Sequence, residues 1–326
     1  MILLNKEEIK KVFSMKDAIE ADKKCYALNS QGKFIVPLRP VISAPKGNFC
    51  FMPSFSEDMN AAACKIVNIM PGNGALGLPG SIGQVMLFDG ETGVAKALLD
   101  GTYVTAVRTA AASGAAFDLF GLKDAKIGAM IGTGSQAMCQ LEAMLSARNL
   151  DEVRVAARNF EKTKAFVEKA KVELASYGAE IIACEDTNEA VKDADLIILV
   201  TVSTTPVCSA EFFKPGAVIS AVGAYTYDMQ ELDPKVFDKC GKIYFDNMEA
   251  VLSESGDILK PLDAGTLSKD QFTGDIGDYI LGNIPGRESD DEIIVFENVG
   301  FGALDLVAAA EIVEKAEKQN IGTVWE

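Results

Sequence analysis

The sequence predicts an α/β fold, in which a doubly wound parallel sheet is accompanied by a second, strand-rich α+β lobe. Three observations predict it. From Lys126 onward, short apolar runs alternate with helical stretches, the order that crossover helices between parallel strands impose. One run, Ile127 to Ile131, carries no charge and stops at Gly132-Thr133-Gly134, after which Met138 to Arg148 keeps Met138, Leu141 and Leu145 along one helical face. The first hundred or so residues are of another kind, strand-like runs punctuated by glycine and proline, as in Pro71-Gly72-Asn73-Gly74 and Leu78-Pro79-Gly80. Strand, glycine turn and helix in that order make the sheet Rossmann-type.

In chain order, Ser14 to Ala27 is an amphipathic helix opened by Ser14, with Asp17 three residues on, close to a capping box. Strand-like runs follow at Phe34–Pro37, Arg39–Ile42, Asn48–Phe51, Ala62–Val67 and Gln84–Phe88, and Asp89-Gly90-Glu91-Thr92-Gly93 reads as a hairpin turn. Thr102 to Leu119 is an alanine-rich helix leading to the strand at Ile127, and it reads as the hinge between lobes. Further strands are expected at Val153–Ala157, Glu180–Ala183, Leu196–Val200, Ala217–Val222 and Lys242–Phe245, with helical connections over Phe160–Ser176 and Asn188–Asp193. Asp278 to Glu292 reads as a polar turn region, Ile293 to Phe296 as strand-like, and Val299 to Lys318 as a helix returning to the first lobe. The expected domains are therefore residues 1–118 completed by 299–326, and a dinucleotide-type domain over 119–298.

At 326 residues the chain suits two domains, and 48% apolar with 24% charged residues is ordinary globular composition. A net charge of −16 with no cluster of Lys and Arg argues against nucleic acid. No apolar stretch reaches membrane-spanning length and the N-terminal residues are charged early, so no membrane partner is expected and the cytoplasm is the expected compartment. Seven cysteines, Cys25, Cys50, Cys64, Cys139, Cys184, Cys208 and Cys240, are scattered without a C-x-x-C pair and read as reduced thiols; no metal site is expected. The chain has no histidine, so acid–base work falls to Lys, Asp, Glu, Tyr or Cys.

The glycine turn is the first candidate site. Gly132 and Gly134 can take backbone angles closed to other residues, and the helix that follows presents N–H groups and its positive dipole end to whatever sits over the turn, an arrangement suited to a pyrophosphate. Ala137 holds the third position of the pattern, where the need is close approach of helix and strand. By itself the pattern equally describes an ordinary tight turn; the alternating strands around it favour the nucleotide. The second strand ends Ala157-Arg158-Asn159, with no acid until Glu161, so NADP(H) is favoured over NAD(H): an arginine can pair with a 2′-phosphate, where NAD is held by an acid. The alternative is a solvated arginine after a strand. In the first lobe, Lys65 lies within the apolar run Ala61-Ala62-Ala63-Cys64-Lys65-Ile66-Val67, where a buried lysine is rare unless paired or used in proton transfer. Alternation also allows it to face solvent, and Arg39 and Arg108 have equally plain alternatives as surface charges.

Six segments carry a resemblance. C-K-I-V-N-I-M-P-G-N (Cys64 to Asn73), L-F-D-G-E-T-G (Leu87 to Gly93), T-A-V-R-T-A-A (Thr105 to Ala111), I-G-T-G-S-Q-A (Ile131 to Ala137), V-G-A-Y-T-Y-D-M-Q-E-L (Val222 to Leu232) and V-G-F-G-A-L-D (Val299 to Asp305) occur in order along the chain, which in this resembles the ornithine cyclodeaminase/mu-crystallin family. The resemblance implies an amino- or imino-acid substrate and a homodimer joined through the first lobe. It puts the substrate carboxylate against Arg39 and Lys65, with Lys65 also at the reacting nitrogen and Arg108 near carboxylate and cofactor. It also assigns Gly132, Gly134, Ser135 and Gln136 to the cofactor phosphates, and Thr201, Val222, Gly223, Ala224 and Asn298 to its nicotinamide side; Arg158 and Asn159 complete the candidate cofactor set at the second strand's end.

Two departures bear on the reaction. Where the family's cyclodeaminases carry an acid–base aspartate two residues beyond the glycine matching Gly223, this chain has Tyr225, and where they carry glutamate at the head of an E-L-M-P run it has Cys50-Phe51-Met52-Pro53. The expected activity is therefore an NAD(P)H-dependent imine (ketimine) reductase or amino-acid dehydrogenase, for Δ1-pyrroline-2-carboxylate or alanine among others. Tyr225 or Asp228 in the aspartate's role would leave ornithine cyclodeamination open, and a non-enzymatic, NADPH-dependent binding protein is the other alternative.

Overall fold

The structure, a computed structural model, describes residues 1–325. In chain order its elements begin β1 (Ile2–Leu4), α1 (Lys6–Val12), α2 (Met15–Ser30), β2 (Val41–Ala44), β3 (Gly47–Ser56), β4 (Ala61–Ile69), β5 (Ser81–Asp89), β6 (Ala95–Asp100) and α3 (Gly101–Phe120). They continue with β7 (Ile127–Ile131), α4 (Ala137–Ala147), β8 (Glu152–Ala156), α5 (Phe160–Glu173), β9 (Glu180–Cys184), α6 (Thr187–Val191), β10 (Leu196–Leu199), β11 (Val218–Ala221) and β12 (Cys240–Phe245). The last are α7 (Met248–Glu254), α8 (Gly256–Asp263), β13 (Gly274–Asp275), α9 (Ile276–Ile280), β14 (Ile293–Glu297), α10 (Gly302–Gln319) and β15 (Thr323–Val324). The chain divides into two compact units, one of residues 1–108 with 301–326 and the other of residues 109–300.

In the first unit a seven-stranded sheet runs β15-β1-β6-β5-β4-β3-β2, antiparallel except for the β1/β6 pair. Helix α2 starts where expected, because Ser14 and Asp17 form a complete capping box. Asn5 and Glu8 form a second box, which opens α1, a helix the sequence reading passed over. The strand expected at Phe34–Pro37 is only a single bridge, Ile35 to Phe55, and β2 begins at Val41 rather than Arg39. Pro37 and Pro40 have no N–H to give to a ladder, which confines pairing to the residues beyond them. Helix α10 packs on β3, β4 and α2. Its entry is tight: a Cβ on Gly302 would lie 2.9 Å from the carbonyl oxygen of Pro53, and Ser54 Oγ donates to the Gly302 carbonyl at 3.0 Å.

In the second unit an eight-stranded, all-parallel sheet runs β13-β12-β14-β11-β10-β7-β8-β9. The order reverses between β7 and β10, so the switch point of a doubly wound sheet falls at the end of the glycine-turn strand. Every residue of β10 and β11 is buried, including Ile197, Leu199 and Ile219, and each such side chain contributes about 1.5–3 kcal/mol on leaving water. The strand-like run at Ile293 is a central strand of this sheet, between β11 and β12. The expected polar turn from Asp278 is partly helical, since α9 runs to Ile280. Helices α7 and α8 went unread because Gly256 and Pro261 look like breakers in sequence; Asn247 and Ser255 cap the two helices, and Pro261 lies inside α8.

Candidate functional site

Two clusters collect the residues singled out above. The first lies within the first unit. Lys65 is at the centre of β4, on its inward face, fully buried, and not toward solvent as alternation would have allowed. Asp305 reaches it from the first turn of α10, with Lys65 Nζ 2.9 Å from Oδ1 and 2.7 Å from Oδ2. Arg108, buried on α3, donates from Nε to the same Oδ1 at 3.1 Å. Two cations thus flank one buried carboxylate, and Arg39, half-buried, adds a third positive charge felt at Lys65. The grouping carries more positive than negative charge, and that surplus suits an added anion.

Burial, above all, and the charge of Arg108 after it lower the Lys65 ammonium to about 7, against the charge and hydrogen bond of Asp305, which hold it up. It can therefore give or take a proton near neutrality. Asp305 was not among the residues singled out from the sequence. Its signal was present, since it is the one acid in the apolar stretch Val299 to Ala310, but an acid in a helix's first turn also reads as ordinary dipole compensation.

The second cluster lies within the second unit, at the carboxyl ends of β7, β8, β10 and β11. Gly132 has φ +125°, and a Cβ there would fall 2.4 Å from the Val200 carbonyl oxygen, so only glycine fits where the chain leaves β7. Gly134 and Ser135 are exposed, and a Cβ on Gly134 would meet nothing within 4 Å, which leaves an open cradle before α4. Gln136 takes the N-cap position of α4, and its Oε1 is buried without a hydrogen-bond partner among the described residues. Close packing of α4 on its strand, assigned above to Ala137, also involves Gly128, whose Cβ would lie 2.4 Å from Met144 Sδ. After β8, Arg158 is exposed, and Asn159 caps α5, its Oδ1 accepting the Lys162 N–H at 3.0 Å.

Thr201, Val222 and Gly223 are drawn together by Glu231, and Ala224 is buried beside them. Asn298 is buried after β14, donating from Nδ2 to the Ala221 carbonyl at 3.2 Å. Of the two groups weighed as substitutes for the cyclodeaminase aspartate, Tyr225 is half-buried and Asp228 is exposed. The open cradle at Gly134 and the N-terminus of α4 together suit a dinucleotide's phosphates, whereas the buried Gln136 Oε1, an acceptor, would take a donor rather than a phosphate oxygen. Among the described residues no group of acids and cysteines could hold a metal ion, and no helix is long and apolar enough to cross a membrane.

A parallel sheet with a glycine turn at its switch point in the second unit, and a buried cationic cluster in the first, define a two-unit α/β protein of the Rossmann class. The particular group follows from comparison with known proteins. The chain belongs to the ornithine cyclodeaminase/mu-crystallin family, whose model matches residues 1–320. It is 33% identical over 324 residues, 99% of this chain and 98% of the relative, to a Delta(1)-pyrroline-2-carboxylate reductase of Bacillus cereus. It superposes at a TM-score of 0.94, with 35% identity and full coverage of both chains, on the Delta(1)-pyrroline-2-carboxylate reductase of Thermococcus litoralis in complex with NADH and L-proline. An archaeal alanine dehydrogenase dimer with bound NAD is also similar, with a TM-score of 0.91, 31% identity and coverage of 100% of this chain and 99% of that one.

Proposed function

We propose that the protein is an NAD(P)H-dependent imine (ketimine) reductase or amino-acid dehydrogenase acting on an α-imino or α-amino acid, such as Δ1-pyrroline-2-carboxylate or alanine. The observation that carries the reading is the buried grouping of Lys65 and Arg108 on Asp305, with Arg39 nearby, whose surplus positive charge suits an α-carboxylate. Relatives named as reductase and dehydrogenase over the full chain support the same reaction class. When bound, the nicotinamide supplies the hydride for the imine carbon. Arg39, Lys65 and Arg108 hold the carboxylate, and holding it fixes the imine carbon, which accounts for much of such a barrier. Lys65, as the ammonium, hydrogen-bonds the imine nitrogen and gives it the proton that completes the amine. Asp305 keeps that ammonium charged and aimed. In the oxidative direction the neutral lysine takes the proton back.

Gly132, Gly134, Ser135 and Gln136 would hold the cofactor phosphates, and Thr201, Val222, Gly223, Ala224 and Asn298 its nicotinamide half. Arg158 favours NADP(H) over NAD(H), because an exposed guanidinium at the end of β8 can pair with a 2′-phosphate and the first acid beyond it is Glu161. Asn159, occupied as a helix cap, would shape that site rather than choose between cofactors. Arg158→Gln should then raise the KM for NADPH about tenfold more than that for NADH; equal effects on both would remove the preference. The reading includes a cytoplasmic homodimer. Exposed apolar residues around the β2 edge, Ile35, Leu38, Val41 and Ile42, give the first unit a surface that a second copy would cover.

The reaction is tested by following NADPH and NADH oxidation with pyruvate plus ammonia or methylamine, with Δ1-pyrroline-2-carboxylate and with Δ1-piperideine-2-carboxylate. Oxidation with one of them establishes the reductase and the size of its substrate. Proline and ammonia released from ornithine without net NADH would show a cyclodeaminase instead, and tight NADPH binding with no turnover would show a binding protein.

A further inference from the structure

The reaction proposed above leaves a group of buried acids in the second unit without a task. Glu231 follows β11, Asp257 lies in the first turn of α8 and Glu297 ends β14, and all three are fully buried. The Glu231 carboxylate receives four hydrogen bonds. Its Oε2 accepts from the Thr201 N–H at 2.6 Å and from Thr201 Oγ1 at 2.8 Å. Its Oε1 accepts from the Val222 N–H at 3.1 Å and the Gly223 N–H at 2.5 Å. One carboxylate therefore ties the segment after β10 to the segment after β11. The two are in backbone contact there, since a Cβ on Gly223 would fall 1.9 Å from the Thr201 carbonyl oxygen.

Glu231 is itself anchored. Asp257 Oδ1 accepts the Glu231 N–H at 2.8 Å and the Leu232 N–H at 2.9 Å, while Glu297 Oε1 accepts from Ser255 Oγ at 2.7 Å. The remaining oxygens, Asp257 Oδ2 and Glu297 Oε2, are buried and have no hydrogen-bond partner among the described residues. Only an ionised carboxylate offers lone pairs to four donors, so the negative charge belongs on Glu231. Three negative charges cannot share so dry a space, and the two partnerless oxygens are where protons can sit. The electrostatics agree in their order: burial raises all three acids, Glu231 only to about 7 because the hydrogen bonds from Thr201, Gly223 and Val222 oppose the rise, Asp257 to about 8, and Glu297, with repulsion from Asp257 added, well above its ordinary value.

We propose that Glu231 is a positioning residue for the dinucleotide, an ionised bracket that shapes the chain after β10 and β11, while Asp257 and Glu297 stand behind it as neutral acids. This rests on the dinucleotide reading above, because strand ends beside the switch point are where such a ligand sits. Isosteric amides separate the roles. Glu231→Gln puts an NH₂ group against two of the four donors, and it should raise the KM for NAD(P)H about tenfold or more while the KM for the imino acid stays within about twofold. Asp257→Asn and Glu297→Gln replace a neutral acid by a neutral amide and should each leave the cofactor KM within about threefold.

Thr201→Val, which removes a single donor, should give a rise of about threefold and serves if the Glu231 variant fails to fold. Each variant is also titrated with NAD(P)H by nucleotide fluorescence. If the wild type binds nucleotide but turns over no imino acid, the reaction reading fails and the Glu231 test still stands on dissociation constants. A wild-type cofactor KM or Kd in folded Glu231→Gln, or in Thr201→Val, overturns the proposal, as does a loss in Asp257→Asn or Glu297→Gln equal to that in Glu231→Gln.

Discussion

Lys65 is the residue whose position in sequence said most and whose partner said least. A lysine amid alanine, cysteine, isoleucine and valine predicted either burial with a partner or an outward-facing strand residue, and the structure takes the first course. The partner comes from 240 residues away, and nothing local to Lys65 names it. Asp305 could be seen only as an acid inside an apolar helix face, a weak sign until α10 is placed against β4. Lys65→Met should lower turnover by a factor of about 10³ or more, as loss of a proton donor and a carboxylate partner together requires, while the Kd for NAD(P)H changes less than about twofold. Turnover near the wild-type rate in that variant would remove Lys65 from the reaction. Arg158 and Asn159 show another case: they were read as the end of the strand, but β8 stops at Ala156, and Asn159 proves to be engaged as the cap of α5.

At the scale of elements, the second unit was legible because the central strands β7, β10 and β11 are charge-free runs and β8, β9 and β12 are short, mostly apolar segments between helices, so all six lie within a residue or two of where they were expected. Elements whose ends depend on capping or on proline were harder. Pro261 inside α8 conceals a helix, and Pro37 and Pro40 conceal how little of the chain before β2 is paired. The turn after β7 was legible in its glycines but not in its reason. Gly132 is required by a positive φ and by the Val200 carbonyl, whereas Gly134 has open space around it. Gly132→Ala should therefore cost about 2 kcal/mol or more in urea unfolding and weaken nucleotide binding with it. An unchanged unfolding midpoint would mean that the turn is not held as described. Gly134→Ala, free of any clash in the protein, should keep its stability and lose affinity only because the added methyl occupies the cradle.

For the whole molecule, two kinds of sequence predicted a parallel sheet and a separate strand-rich lobe; both are present, and the strands of that lobe prove mostly antiparallel. The strand order of the first sheet was not legible, because β1, β6 and β15 are short and the pairing of β1 with β15 joins the two ends of the described chain. Composition excluded more than it assigned: the net charge of −16 and the absence of histidine narrow the partners and the proton carriers without naming a substrate. The proposed homodimer makes its own prediction at this scale. Ile42, 59% exposed on the edge strand β2, becomes a charge in Ile42→Glu, and light scattering after gel filtration should then show monomer where the wild type shows dimer. A wild-type dimer of unchanged stability in that variant would move the interface elsewhere.

The central claim is that a buried lysine, balanced on one aspartate, supplies the proton at neutral pH. Its most direct test is the pH dependence of kcat/KM for imine reduction in the wild type and in Asp305→Asn. Lys65 must be charged to donate, so the wild-type value should be level in acid and fall tenfold per pH unit above about 7. Asp305 holds that value up, so its removal should shift the falling limb to lower pH. A profile that is flat from about pH 6 to 9, or a limb that Asp305→Asn leaves in place, would contradict the assignment of the proton to Lys65.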